Sequence, residues 1–217
     1  ISNNNMSHKS LTILSGMIVL SMCFSSCLKK GDDTLVLPVP DGKIPYYVIP
    51  ARLQDSLRTH GFEIYEGIEP PFIEGTYLAS PMELQYASDD YSNHFYDLTL
   101  HFASQFRRGM LRYCESQTDT VMGQSTVASV IGKGNNFTMY CLQNISNLDN
   151  QGDTLFRCRT ATVVSGTIEA GGIRNCQYTN IVLDKWAVND YYEMQLADIN
   201  SYRIWKDGDS LSVKLAK

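Results

Sequence analysis

The chain has 217 residues, a formal net charge of −5 and 43% hydrophobic residues. A mildly acidic chain without a basic run lacks the positive patch that nucleic-acid binding requires, so nucleic acid is excluded as a partner. With only 19% charged residues, the composition also excludes an intrinsically disordered chain and allows one domain with a hydrophobic core.

A secretory leader precedes the rest of the chain. A basic start at residues 8–9 is followed by a weakly polar to apolar run, 11–24, and two serines precede Cys27. This order is typical of a cleaved signal peptide, and the run is shorter than the roughly 20 residues of a membrane-spanning helix. The pattern that ends in Cys27 resembles the signal of a bacterial lipoprotein. The resemblance implies that residues 1–26 are removed and that Cys27 carries the lipid, with palmitate among its acyl chains.

The segment after Cys27 predicts a tether. Lys30 is followed closely by Asp32 and Asp33, which resembles the surface-export signal of Bacteroidetes lipoproteins and implies a place on the outer face of the outer membrane. The alternative is a solvated charged linker on a lipoprotein that faces the periplasm. Because prolines are frequent up to Pro50, residues 27–49 are predicted to be a flexible tether and residues 50–217 one domain.

The domain is predicted to begin with a short helix and continue as strands. Leu53 and Leu57 lie one turn apart, and Gly61 follows as a helix stop, so the helix is placed at 51–60. Strands are predicted at 75–78, 83–86, 96–106, 110–115, 126–131, 137–143, 155–168, 173–183, 202–205 and 211–215.

The strand pattern predicts a mostly β fold. Several strands alternate between apolar and polar residues, as in 96–106, and the joints between them are rich in Gly, Asn and Asp. Many hairpins without helices between them favour an antiparallel up-and-down β-barrel, with a β-sandwich as the alternative. The barrel is preferred because strands 155–168 and 173–183 are too long for a small sandwich unless they bend.

Three short motifs resemble the lipocalin and calycin superfamily. They are Gly75-Thr76-Tyr77, Asn189-Asp190-Tyr191 and a late arginine, Arg203. The resemblance implies a cup-shaped barrel that binds a small apolar molecule, with Arg203 packed over the opening aromatic residue. The layout of tether, short helix, Pro-Pro and Glu-Gly-Thr-Tyr also resembles a family of Bacteroidetes lipoproteins, which implies no known activity.

Four cysteines remain after the leader and the lipid site. An exported chain permits disulfides, whose pairing the sequence leaves open. Each cysteine nevertheless falls within a strand-like segment, which favours buried free thiols. They are Cys114, Cys141, Cys158 and Cys176. No Cys-x-x-Cys, His-Glu-x-x-His or Gly-x-Ser-x-Gly motif is present, so neither a metal, a cofactor nor an enzymatic activity is expected.

One strand face is the candidate ligand wall. Its residues mix hydroxyl groups with apolar groups, and the neighbouring strand adds two polar residues. The predicted lining residues are Phe156, Cys158, Thr160, Thr162, Tyr178 and Asn180. A ligand cavity tolerates such a mixture, whereas on the outside of a sheet threonines serve β-propensity. The two hypotheses for function are a lipid-anchored envelope protein that binds a small hydrophobic ligand and a structural or interaction subunit of an outer-membrane assembly.

Overall fold

The computed structural model describes residues 40–89, 96–106, 109–118, 121–194 and 196–216, without the side chains of 118 and 121–126. The leader, Cys27 and the tether up to residue 39 lie outside the described residues. Helix α1 (Ala51–Thr59) follows Pro50 and ends before Gly61, whose φ of +83° suits glycine. A second, single-turn helix, α2 (Asp190–Glu193), is capped by the Asn189 side chain.

Eleven strands are found in the described part of the chain. They are β1 (Ile68–Glu69), β2 (Gly75–Ala79), β3 (Met82–Ala87), β4 (Leu98–Phe106), β5 (Met110–Thr118), β6 (Val121–Lys133), β7 (Asn136–Leu148), β8 (Thr154–Glu169), β9 (Gly172–Ala187), β10 (Tyr202–Asp207) and β11 (Leu211–Lys214). Every predicted strand is found. The additions are the two-residue strand β1 and helix α2, which the sequence analysis does not predict.

Eight of these strands close into an antiparallel ring. Strands β4 to β9 pair in chain order, and β2 pairs with β4. Strand β11 closes the ring because it pairs with β2 on one side and with residues 172–174 of β9 on the other. Residues 177–181 of β9 pair instead with β10, which carries β3 as a branch. The mostly β, antiparallel fold predicted from the alternation is confirmed.

Two hydrophobic clusters occupy the two sides of the sheet. The first consists of inward-facing side chains of the ring, such as Leu100, Phe102 and Met139. The second lies on the outer face of β6 to β10, where Leu53 and Leu57 of α1 cover it. Several strands are therefore apolar on both faces, because one face meets the ring interior and the other meets the helix.

The segment before α1 packs on the same outer face. Ile44, Val48 and Ile49, which fall within the predicted tether, are at most 2% exposed. The buried Gln54 side chain donates hydrogen bonds to the carbonyl oxygens of Ile44 and Ile49, at 3.0 and 2.8 Å. This side chain therefore fixes the entering chain to the helix.

One end of the ring is crossed by the segment 68–74, and we call it the plugged end. Ile68 pairs with Gly132 at the end of β6, and the Gln105 side chain near the end of β4 bonds both Pro71 and Ile73 at 2.8 Å. Ile73 is fully buried in the interior cluster. The opposite end, which holds the β7–β8 connection and α2, is called the distal end.

Candidate functional site

A buried carboxyl group lies inside the ring. On β5, Leu111, Tyr113 and Glu115 alternate with exposed or half-buried residues and share the inward face. Leu111 and Tyr113 belong to the interior cluster. Glu115, two residues further along, is only 8% exposed. The strand thus carries a carboxyl group into an interior that is otherwise mainly apolar.

Three neutral side chains donate hydrogen bonds to Glu115. The Tyr178 hydroxyl and the Gln143 amide donate to Oε1, at 2.8 and 2.6 Å, and the Tyr113 hydroxyl donates to Oε2 at 2.5 Å. These donors come from β9, β7 and β5 and are at most 2% exposed. Both carboxyl oxygens are accepting, which is the arrangement that an ionised carboxylate requires. We call Glu115, Tyr113, Gln143 and Tyr178 the Glu115 cluster.

A chain of polar side chains extends the Glu115 cluster along β8 and β9. Thr162 donates to Asn180 Oδ1 at 2.5 Å, and Asn180 donates to the Tyr178 hydroxyl. Thr160 lies 3.4 Å from Thr162, oxygen to oxygen. The donors run in one direction from Thr162 through Asn180 and Tyr178 to Glu115. Such linked hydrogen bonds polarise one another in a low-dielectric interior.

Burial dominates the electrostatics of the cluster. It raises the pKa of Glu115 above its usual value, although the three donated hydrogen bonds act in the opposite direction. Burial, together with the nearby Glu115 carboxyl, raises the pKa of Tyr113 and Tyr178 well above 10.0. Both phenols therefore remain protonated donors, and Glu115 is the titratable member of the cluster.

Aromatic side chains fill the ring between this cluster and the plugged end. Phe102 stacks on Tyr113 with ring centroids 5.4 Å apart and meets Phe137 edge-on at 6.4 Å. Tyr77 lies 5.8 Å from Phe102. The interior is thus divided into an apolar half toward Ile73 and a polar half around Glu115.

The predicted ligand wall is on the inside of the ring. Thr160, Thr162 and Tyr178 are at most 2% exposed, Cys158 is 8% exposed, and Asn180 and Phe156 are partly buried. Thr160, Thr162, Tyr178 and Asn180 are brought together in the polar chain just described, while Cys158 and Phe156 lie further toward the distal end of β8. Of the two alternatives for this face, the interior one holds. Whether a ligand contacts these residues stays a prediction, and Cys27 lies outside the described residues.

Glu115, Tyr113 and Gln143 were missed by the sequence analysis. The predicted strand 110–115 ends at Glu115, so its carboxyl group could be taken for part of a turn. The alternation of Leu111 and Tyr113 places Glu115 on the same buried face, and this was the available signal. Nothing in the sequence indicates that Gln143 lies opposite it.

The four cysteines predicted as free thiols form no disulfide within the described residues, and three of them are buried. Burial raises the pKa of Cys176 to about 12 and that of Cys158 to about 11.

The basic group over Tyr77 is Lys214, whose Nζ lies 5.6 Å from the ring centre. Arg203, expected in that role, forms an ion pair with Asp89 at 2.6 Å because β10 lies outside the closed ring.

Neither a metal site nor a membrane-spanning helix is found in the described part of the chain. Between residues 40 and 216, apart from the gaps given above, no three metal-ligating side chains are grouped together. No helix in the same residues has the length and hydrophobicity needed to cross a bilayer.

Comparisons with known proteins returned no match: no protein-family model, curated protein or solved structure shows significant similarity to the chain.

Proposed function

We propose that this domain binds a small amphipathic molecule inside the ring, with the polar end of the molecule at the Glu115 cluster. The observation that carries the proposal is a buried carboxyl group bonded to three neutral donors within an apolar interior. Burying such a group costs free energy unless it is fully hydrogen-bonded. Ligand sites have this composition, with mostly apolar walls and a few converging polar groups.

Above its raised pKa Glu115 is ionised, and its charge then limits the class of ligand. A second carboxylate about 5 Å away would be repelled by about 3 kcal/mol at an effective dielectric constant of about 20. This corresponds to about a 100-fold loss of affinity. No basic side chain is among the groups that shift the Glu115 pKa. The expected ligand therefore has a neutral or positively charged polar end, and a free fatty acid is disfavoured.

Two fluorescent probes of related shape test this proposal. N-phenyl-1-naphthylamine is neutral, whereas 1-anilinonaphthalene-8-sulfonate carries an added anionic group. At a pH above the raised pKa of Glu115, the full-length protein is expected to bind the neutral probe and to bind the sulfonate at least about 100-fold more weakly. Glu115→Gln is expected to reduce this difference, because it removes the charge and keeps the side-chain shape.

Glu83→Gln is the matched control for this experiment. Glu83 is an exposed carboxylate on β3 that pairs with Lys206 at 3.3 Å, so its replacement should leave the affinities for both probes unchanged. Absence of binding by the neutral probe, or equal discrimination in wild-type protein and Glu115→Gln, would contradict the proposal.

We also propose that the protein is a lipoprotein anchored to the outer membrane through Cys27, on its outer face. The support is the leader sequence, the cysteine that follows it and the Lys-Gly-Asp-Asp segment. Metabolic labelling with palmitate should mark the wild-type protein and not Cys27→Ala. Protease treatment of intact cells should then remove the protein without lysis, while a periplasm-facing lipoprotein would survive.

An interaction subunit is the second candidate function, and exposed apolar residues at the distal end favour it. Trp186, Val188 and Met194 are 45%, 53% and 80% exposed, and Tyr191 is 64% exposed. Grouped apolar side chains on a protein surface often mark interaction sites. If this function holds, the double variant Val188→Ser/Met194→Ser should lose a co-purifying partner while Glu115→Gln retains it.

A further inference from the structure

Three large apolar side chains are exposed at the plugged end of the ring. Ile68, Phe72 and Phe106 are 72%, 66% and 62% exposed. Phe72 precedes the fully buried Ile73, and Phe106 follows Gln105, the residue that binds the backbone on both sides of Phe72. Ile68 is held by its pairing with Gly132. We call these three residues the plugged-end patch.

The chain enters the described part of the structure at this same end. Pro40 packs against Gly109, since its Cγ lies 2.8 Å from the point that a Cβ on Gly109 would occupy. Gly109 follows β4 and accepts a hydrogen bond from Val130 at 2.9 Å. Gly67, next to Ile68, donates to the Gly42 carbonyl at 2.9 Å. The first described residues therefore lie beside the plugged-end patch.

The length of chain before Pro40 limits how far this end can lie from a lipid on Cys27. Residues 28–39 span at most about 40 Å when fully extended. A flexible chain of this length has a typical end-to-end distance of about 20 Å. A 16-residue strand such as β8 measures roughly 50 Å along its axis. The entry point, and not the distal end, is therefore the part of the ring that the tether holds close to a membrane.

We propose that the plugged end lies against the bilayer and that Ile68, Phe72 and Phe106 enter its headgroup region. The inference rests on the proposed lipidation of Cys27 and adds an orientation to it. The patch is apolar and its backbone is held by hydrogen bonds, and moving apolar side chains out of water at a membrane interface is favourable. The distal end, with its exposed Trp186, faces away from the membrane.

Tryptophan placed in the patch tests this orientation. Full-length lipidated Phe72→Trp is incorporated into phosphatidylcholine–phosphatidylglycerol vesicles, with or without bromine on the acyl chains. Bromine quenches nearby tryptophans, so the fluorescence added by this substitution should be largely lost in brominated vesicles and its emission should shift to the blue. Phe106→Trp gives an independent second position on the same patch.

Met194→Trp is the matched control, because Met194 is also exposed, at 80%, but lies at the distal end. Its added fluorescence, and that of the native Trp186, should be unaffected by bromine. If the protein floats with the vesicles while Phe72→Trp and Phe106→Trp are quenched no more than Met194→Trp, the orientation is wrong and the anchor stands. If the wild-type protein fails to float with the vesicles, the lipid anchor and the orientation are both refuted.

Discussion

Replacing Glu115 by glutamine should change how the stability of the fold depends on pH. The folded-state pKa of Glu115 is raised by burial, so the unfolded chain loses this proton at a lower pH than the folded protein does. As pH rises from about 4.5 to the raised pKa, the wild-type free energy of unfolding should fall, by about 1.4 kcal/mol for each unit of pKa difference. Above the raised pKa this contribution becomes constant.

Glutamine at position 115 does not titrate but keeps the shape of the side chain. Its oxygen can accept from Gln143 and Tyr178, and its amide can donate to Tyr113 once that hydroxyl rotates. The difference in free energy between Glu115→Gln and wild type should therefore shift in favour of the variant as pH rises. Glu115→Leu removes the carboxyl acceptor of all three donors and should cost at least about 3 kcal/mol at any pH, at about 1 kcal/mol or more for each donor.

Urea denaturation followed by circular dichroism, at intervals from pH 4 to pH 9, measures these free energies. Parallel pH profiles for wild type and Glu115→Gln would refute the reasoning, since they would mean that the carboxyl group titrates normally in the folded protein. A Glu115→Leu variant as stable as wild type would show that the three donors do not depend on Glu115.

Three further predictions concern the backbone, the outer cluster and a second buried carboxyl group. Gly132→Ala should destabilise the fold by at least about 1 kcal/mol, because φ at Gly132 is +147° and an added Cβ would lie 2.1 Å from the Asn136 carbonyl oxygen. Gly171→Ala is the control: an added Cβ there would have no neighbouring atom within 4 Å, so this variant should be nearly as stable as wild type in the same denaturation assay. Leu57→Ala should cost about 2–5 kcal/mol, since Leu57 is fully buried between α1 and the sheet, and a loss below about 1 kcal/mol would contradict the packing of α1. Burial raises the pKa of Asp207 to about 6, so wild-type stability should fall as pH rises from about 4 to about 6, and Asp207→Asn should show a smaller fall than wild type when unfolding is measured across that range.

The fold was largely predictable from sequence because each strand and turn carries a local signal. Helix α1 was located from Leu53, Leu57 and Gly61, and the strands from their apolar residues and the Gly, Asn and Asp residues between them. Strand β1 was not predictable. Its two residues become a strand only by pairing with Gly132, far along the chain, and carry no alternation of their own.

The orientation of the ligand wall could not be decided from sequence for a related reason. Along β8, Thr160 and Thr162 alternate with Ala161 and Val163, and all four are buried. Both faces of this strand are covered, one by the ring interior and the other by α1 and the segment before it. Hydrophobic alternation identifies the inward face only where the other face is exposed to water. Gln143 and Tyr178 were equally hidden as partners of Glu115, because β7 and β9 face β5 only in the closed ring.

The most direct test of the central claim is a crystal structure of the full-length protein extracted from membranes without any delipidating step. We expect electron density for a bound small molecule within the ring, with a polar group within hydrogen-bonding distance of the Glu115 cluster or of Asn180. Mass spectrometry of an organic extract of the same crystals should identify a molecule with a neutral or positively charged polar end. A ring interior filled around Glu115 by protein side chains alone would contradict the binding function.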